Sequence, residues 1–387
     1  MSNNLDWQDL HFSSLVIDGH ADTPQRFVDE GWHFSDALGD GMLNLESART
    51  GGLGAQFFAI WPKPSEWKGR FAHRTLQLLD GVYQQLARHS EDLMLGTCAD
   101  DIDRAYAERK LCILLGLEGG HAIENSLALL RCYYALGIRY MTLTWANSNE
   151  WADSSGDLDD ESVTHHGGLT EFGRDVIREM NRLGMMVDVS HVSDATFWDV
   201  MRTTQAPIVA SHSSARALAN SPRNLTDEQL SAMATNDGMV MVNFYPSFLD
   251  DCWRDAWDAS EDERKALHEA AAAPFRERGE PVPYVTRMRV EREFYRTEFA
   301  ARCELPGVEM LLDHFDHVAK VAGIDHVGIG SDFDGIGLAP AGMETAAQLP
   351  EITRGLVARG YTAEQVKKVL GGNMLRVMRA VEKTAVR

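Results

Sequence analysis

The sequence predicts an α/β chain folded as a (β/α)8 barrel of the TIM type. Three observations lead there. Eight short, β-rich apolar runs alternate with longer amphipathic stretches, and strand–helix alternation implies parallel strands. Histidine and carboxylate residues recur just after those runs, where strand ends of a barrel converge on one mouth. The length, 387 residues, suits one large barrel domain over 1–387 with a helical insertion at about 246–306.

The runs are Ser14–Ile17, Leu53–Ala59, Leu111–Leu117, Ile138–Leu143, Met185–Val189, Pro207–Ala210, Gly238–Asn243 and His326–Ile329. Between them lie helical patterns such as Phe71–Arg88, Glu124–Leu136, Thr170–Leu183 and Leu311–Ala322. Thr362–Val386 reads as one helix closing the barrel. Eight such units favour a closed barrel over an open sheet. Pro246–Pro306 stands apart, charged and helical, before the last strand. Charge runs are usually solvated, so this insertion reads as a surface excursion, with a lid or partner role as its alternative.

Composition excludes several classes. The formal net charge is −21, which repels nucleic acid and anionic membrane surfaces while favouring cations. The five cysteines, Cys98, Cys112, Cys132, Cys252 and Cys303, show no CxxC spacing. Cys112 and Cys132 read as small buried hydrophobes. Without a disulfide framework, a reducing, cytoplasmic location is expected. The start MSNNLDWQDLHF has no basic end and no apolar stretch, so no signal peptide is expected. No run of 18 apolar residues suggests a membrane span.

Five segments carry the chemistry. In Asp18-Gly19-His20-Ala21-Asp22, His20 and Asp22 stand two apart at a strand end, so an imidazole and a carboxylate face one side. Glu118, in Leu117-Glu118-Gly119-Gly120-His121, ends a very apolar strand and needs a cation. A bridge between two metals or a salt bridge to Arg139 would each serve, and His121 reads as a helix-start histidine. Val187-Asp188-Val189-Ser190-His191 and Val209-Ala210-Ser211-His212 are two apolar strands ending in Ser-His. A lone strand-end histidine is usually structural; this pair, with the acids above, suits zinc. In Ser331-Asp332-Phe333-Asp334-Gly335, Asp332 should point into the mouth as a general acid–base, whereas Asp334-Gly335 looks like turn chemistry.

Taken together, DGHAD, LEGGHAIE, VDVSH, ASHSSARAL, PRNLTDE, MVNFYP and GIGSDFDG resemble the membrane (renal) dipeptidase family of amidohydrolase-like barrels. The resemblance runs in order from about Val16 to about Met374 and points to a soluble, bacterial-type member. It implies two zinc ions, with His20 and Asp22 on one, His191 and His212 on the other, and Glu118 bridging. It makes Asp332 the catalytic acid–base and Arg223 the group that binds the substrate carboxylate; a surface salt bridge is the alternative for Arg223. Trp145 and Tyr245 are placed beside the substrate. The implied activity is hydrolysis of the amide bond of a dipeptide by a hydroxide shared between the zincs.

One departure stands out. The family carries a histidine in a Leu-Thr-His segment, where it contacts the reacting carbonyl. Here Leu143-Thr144 is followed by Trp145, with His165 and His166 as candidate replacements. The alternative activity is therefore a related barrel amidohydrolase acting on a cyclic amide, a lactone or an N-acyl amino acid. A barrel that binds ligand without chemistry is disfavoured by the full ligand set, and a serine hydrolase by the absence of a GxSxG elbow. The expected partners are a small dipeptide and, among proteins, a second copy of the chain.

Overall fold

The computed structural model describes residues 6–280 and 282–386. Among these, nine strands form one parallel sheet: β1 (Val16–Ala21), β2 (Leu53–Ile60), β3 (Leu93–Leu95), β4 (Leu111–Glu118), β5 (Ile138–Thr142), β6 (Met186–Asp188), β7 (Val209–Ala210), β8 (Met239–Asn243) and β9 (Val327–Gly330). The order is β2-β1-β9-β8-β7-β6-β5-β4-β3, and β2 also pairs with β4. Eight strands thus close a ring, and β3 lies outside it. β4 gives one edge to β2 over Cys112–Leu117. On its other edge β3 pairs with 111–113 and β5 with 115–118.

The strands are buried along their whole length in β1, β2 and β4, as expected where helices cover the outside and side chains fill the inside. Alternation divides the core. Ile17, Phe57, Cys112, Leu114, Tyr140, Met186, Val209, Met239 and Met241 share the inner layer with Met374 and Val377 from the C-terminal helix Asn373–Thr384. Their neighbours Ile113, Leu115, Met141, Val187, Val240 and Val242 pack under the outer helices. A period of two carries the inner layer upward to polar residues: Leu114 leads to Glu118, Tyr140 to Thr142, Met186 to Asp188 and Met241 to Asn243. The fold therefore delivers polar groups to the mouth by register alone.

Several expectations shift. β1 begins two residues late and runs to Ala21, so His20 lies inside the strand. β3 was missed because three residues leave no periodic signal. The C-terminal stretch is two helices, Ala363–Lys367 and Asn373–Thr384, joined by a π-helical turn over Lys368–Gly372 that ends on Gly371-Gly372. Cys132 is exposed, not buried, and all five cysteines are unpaired. No helix is long and apolar enough to cross a membrane, among the described residues.

The excursion after β8 differs most. It holds Asp251–Asp258, Glu261–Glu277 and Thr286–Phe294, followed by a π-helical segment Tyr295–Phe299. Trp253, Trp257, Phe294 and Phe299 form an apolar cluster of their own with Leu338. Its outward residues are charged, as read from the sequence, but its inner residues reach the barrel mouth.

Candidate active site

Glu118, at the top of β4, is the centre of the site. Its Oε2 lies 3.5 Å from His20 Nε2, and its Oε1 lies 3.1 Å from His191 Nε2 and 3.7 Å from His212 Nε2. The two oxygens of one carboxylate therefore face two separate imidazole groups. His20 Nε2 is also 3.6 Å from Asp22 Oδ2. Donor atoms of His20, Glu118 and His212 form one close group, and those of His20, Asp22 and Asp332 a second. Glu118 makes no salt bridge to Arg139, whose guanidinium donates to backbone carbonyls of Tyr134 and Ile138 at 2.8 Å.

The residues fit a bound metal. A tetrahedral ion with bonds of about 2.0–2.1 Å spaces its ligands roughly 3.3 Å apart, close to the separations around Glu118. His20 and His212 present lone pairs inward, because hydroxyls behind them fix the tautomers. Ser211 Oγ donates its proton to Asp188 at 2.6 Å, so it accepts from His212 Nδ1 at 2.7 Å. Tyr140 donates to the Gly19 carbonyl at 3.1 Å, so it accepts from His20 Nδ1 at 2.9 Å. Bare Nε2 atoms result, an arrangement typical of groups standing behind metal ligands. His191 and His212 bring their Nε2 atoms to 2.9 Å of each other, and His20 Nε2 has no hydrogen-bond partner. A cation is the group that such converging lone pairs accommodate.

Charge makes the same case. Burial drives the His191 and His212 pKa values well below the ordinary histidine value, keeping both neutral. Burial likewise raises Glu118 to about 7 and Asp332 to about 6. Buried carboxylates crowded in this way hold protons unless a metal displaces them.

Asp332 follows β9 with a left-handed φ of 63°, and His191 has φ 71°. Such backbone in a non-glycine residue is uncommon and concentrates at functional sites. Asn243 Nδ2 donates to Asp332 Oδ2 at 3.0 Å, and the Asp332 amide donates to the His20 carbonyl at 3.0 Å. Gly335 closes the turn so tightly that a Cβ there would overlap the carboxylates of Asp22 and Asp332. Asp334 is structural, accepting from Thr23 Oγ1 at 2.7 Å and the Met42 amide at 2.6 Å.

The profile of one family matches residues 6–387: membrane dipeptidase, peptidase family M19. This chain belongs to that family. It is 32% identical to human Dipeptidase 3 over 385 residues, covering 97% of this chain and 67% of the human protein. The mouse Dipeptidase 3 is 33% identical, with 95% and 64% covered. The chain thus spans about two thirds of the length of these relatives. Among solved structures it is similar to the probable dipeptidase PvdM from Pseudomonas aeruginosa, at 27% identity, TM-score 0.82 and 98% of each chain. It is also similar to a metallo peptidase from Rhodobacter sphaeroides liganded with a phosphinate mimic of the dipeptide L-Ala-D-Ala, at 26% identity, TM-score 0.73, and 95% and 100% covered.

In this member of the membrane dipeptidase family the cluster forms the floor of a cavity of about 290 Å3. The cavity brings in the remaining sequence candidates, Arg223, Trp145 and Tyr245. Arg223 has no acidic partner among the described residues. Its guanidinium donates to Ser213 Oγ at 3.4 Å and the His212 carbonyl at 3.3 Å, and burial lowers its pKa to about 10. The salt-bridge alternative therefore fails. Trp145 packs on Trp61, ring centroids 4.7 Å apart, and stands 6.4 Å from the His191 ring. Neither nearby histidine replaces the missing one. His166 Nε2 lies 3.0 Å from the Asn149 carbonyl, and His165 lines a different hollow with Leu158 and Arg216. His121 meets the Pro62 carbonyl at 2.9 Å.

Sequence reasoning passed over Tyr140, Asp188, Ser211 and Asn243, which hold the cluster from behind. Asp188 and Ser211 stood inside quoted motifs, and a polar residue two places past an apolar strand residue was the available signal. It also missed Arg264, Tyr284, Arg287 and Glu291, cavity-lining residues of the excursion, whose sequence looks like any charged helix.

Proposed function

We propose that the chain is a zinc-dependent dipeptidase with two ions per chain. The observation that carries this reading is the Glu118 carboxylate, aimed one oxygen to each of two imidazole groups at the floor of a cavity of dipeptide size. His20, Asp22 and Glu118 Oε2 would hold one ion, and Glu118 Oε1, His191 and His212 the other. Zinc bound there supplies a Lewis acid for the amide carbonyl and a water of lowered pKa.

The chain's own residues do the rest. Asp332, held at Oδ2 by Asn243, takes a proton from the attacking water and passes it to the leaving amine. Arg223 offers a guanidinium fork to the free carboxylate of the peptide, which limits the enzyme to short substrates. Tyr245 lines the same cavity. Trp145 and Trp61 form an apolar wall that excludes water. The five unpaired cysteines support a reducing, cytoplasmic setting.

Trp145 also sustains a second reading, an amidohydrolase acting on a cyclic amide, lactone or N-acyl amino acid. Indole has one N–H donor and no basic site, so an electrophilic contact of the family is replaced by a flat apolar face. We expect dipeptide turnover in the wild type, with a preference for an apolar residue against that wall. A panel of L,L and L,D dipeptides on wild type and Trp145→His checks this. Hydrolysis only by Trp145→His would mean a different native substrate. Hydrolysis by neither would replace the dipeptidase reading with the amidohydrolase one.

A further inference from the structure

The metal-facing half of the cavity carries the acids Asp22, Glu118 and Asp332; the remaining wall carries Arg223, Arg264, Arg287 and a single carboxylate, Glu291. Arg264 and Arg287 come from the excursion helices Glu261–Glu277 and Thr286–Phe294. Both are held in place. Arg264 stacks over the Trp257 ring at 4.4 Å and donates to the Trp257 carbonyl at 3.0 Å and Ser260 Oγ at 3.2 Å. Arg287 donates to the Gly335 carbonyl, in the turn that follows Asp332. Glu291 is buried, 3.8 Å from Arg287 and 3.5 Å from His268. It packs against Gly337 so closely that a Cβ there would overlap its carboxylate. Glu291 thus anchors the cationic wall without neutralising it, since three guanidinium groups face one carboxylate.

Two divalent ions in the metal half would more than offset its three carboxylates, and passing the water's proton to Asp332 leaves that count unchanged. The rest of the wall keeps two uncompensated positive charges. A dipeptide with neutral side chains brings one carboxylate, which Arg223 would take, and one ammonium at its other end. Arg264 and Arg287 line the same cavity as Arg223, so a second carboxylate on the residue that bears the first would meet them there. Arginine forks match carboxylates in shape as well as charge.

We propose that Arg264 and Arg287 are specificity-determining residues, and that the preferred substrates are dipeptides with an acidic C-terminal residue. This rests on the dipeptidase reading of the same site. The test compares kcat/KM for Ala-Glu with Ala-Gln, and for Ala-Asp with Ala-Asn, in both stereochemical series. Wild type should favour the acidic member by about 10- to 100-fold, the range of a charge-assisted hydrogen bond. Arg287→Gln and Arg264→Gln should each lower that ratio several-fold. The Arg287 side chain is half exposed, so its replacement leaves no core cavity. Arg264→Glu should turn the preference towards Ala-Lys. Equal turnover of acidic and amide peptides, or a ratio unmoved in every variant, would overturn the proposal and leave the dipeptidase reading intact. No hydrolysis of any dipeptide would overturn both.

Discussion

Asp332→Asn should keep the metals and lose most of the hydrolysis, with kcat falling about 10²- to 10⁴-fold. The substitution is nearly isosteric, and asparagine tolerates the left-handed backbone that Asp332 adopts. The remaining side-chain oxygen can still accept from Asn243, now 3.0 Å from Asp332 Oδ2. What disappears is the exchangeable proton. Burial raises the Asp332 carboxyl to about 6, suited to taking and returning a proton near neutral pH. Steady-state kinetics and metal analysis on one preparation check the pair of expectations. A variant with near-wild-type kcat removes Asp332 from the chemistry.

Glu118→Gln should disturb both ions at once and weaken zinc binding by at least ~100-fold, since even a group behind a ligand typically contributes 10–100-fold. A carboxylate offers an anionic oxygen to each histidine group. An amide keeps one neutral oxygen and turns N–H donors towards the other group, where His20 Nε2 or the His191 and His212 Nε2 atoms already converge. His191→Ala should instead affect mainly the His191–His212 ion. Titration of metal-depleted variants with zinc separates the two patterns. Two tightly bound zincs and normal activity in Glu118→Gln would make Glu118 a structural residue.

The barrel and the residues that meet at its mouth were legible because they obey simple periodicities. Apolar runs of strand length alternate with amphipathic helices, and His20, Asp22, Glu118, His191 and His212 stand one to five residues past a run. The limits were physical too. At β1 the polar residues Asp18, His20 and Asp22 looked like the end of a strand, yet the strand continues because its polar side chains face partners. Asp18 accepts from the Ser331 amide at 2.7 Å and Ser331 Oγ at 2.6 Å. The hydroxyls that set the tautomers of His20 and His212 are meaningful only once Tyr140 of β5 reaches across the barrel to His20 of β1 and Ser211, after β7, meets Asp188 of β6. The excursion misled most. Arg287 and Glu291 carry the same charges as the solvated residues around them, and only the packing of their helix over the mouth distinguishes them.

The most direct test of the account is the metal content of chelator-free protein, measured by atomic emission together with activity before and after metal removal. We expect about two zinc ions per chain, from the two groups that share Glu118. Chelation should abolish dipeptide hydrolysis, and added zinc should restore it. A stoichiometry near zero in fully active protein would contradict the account.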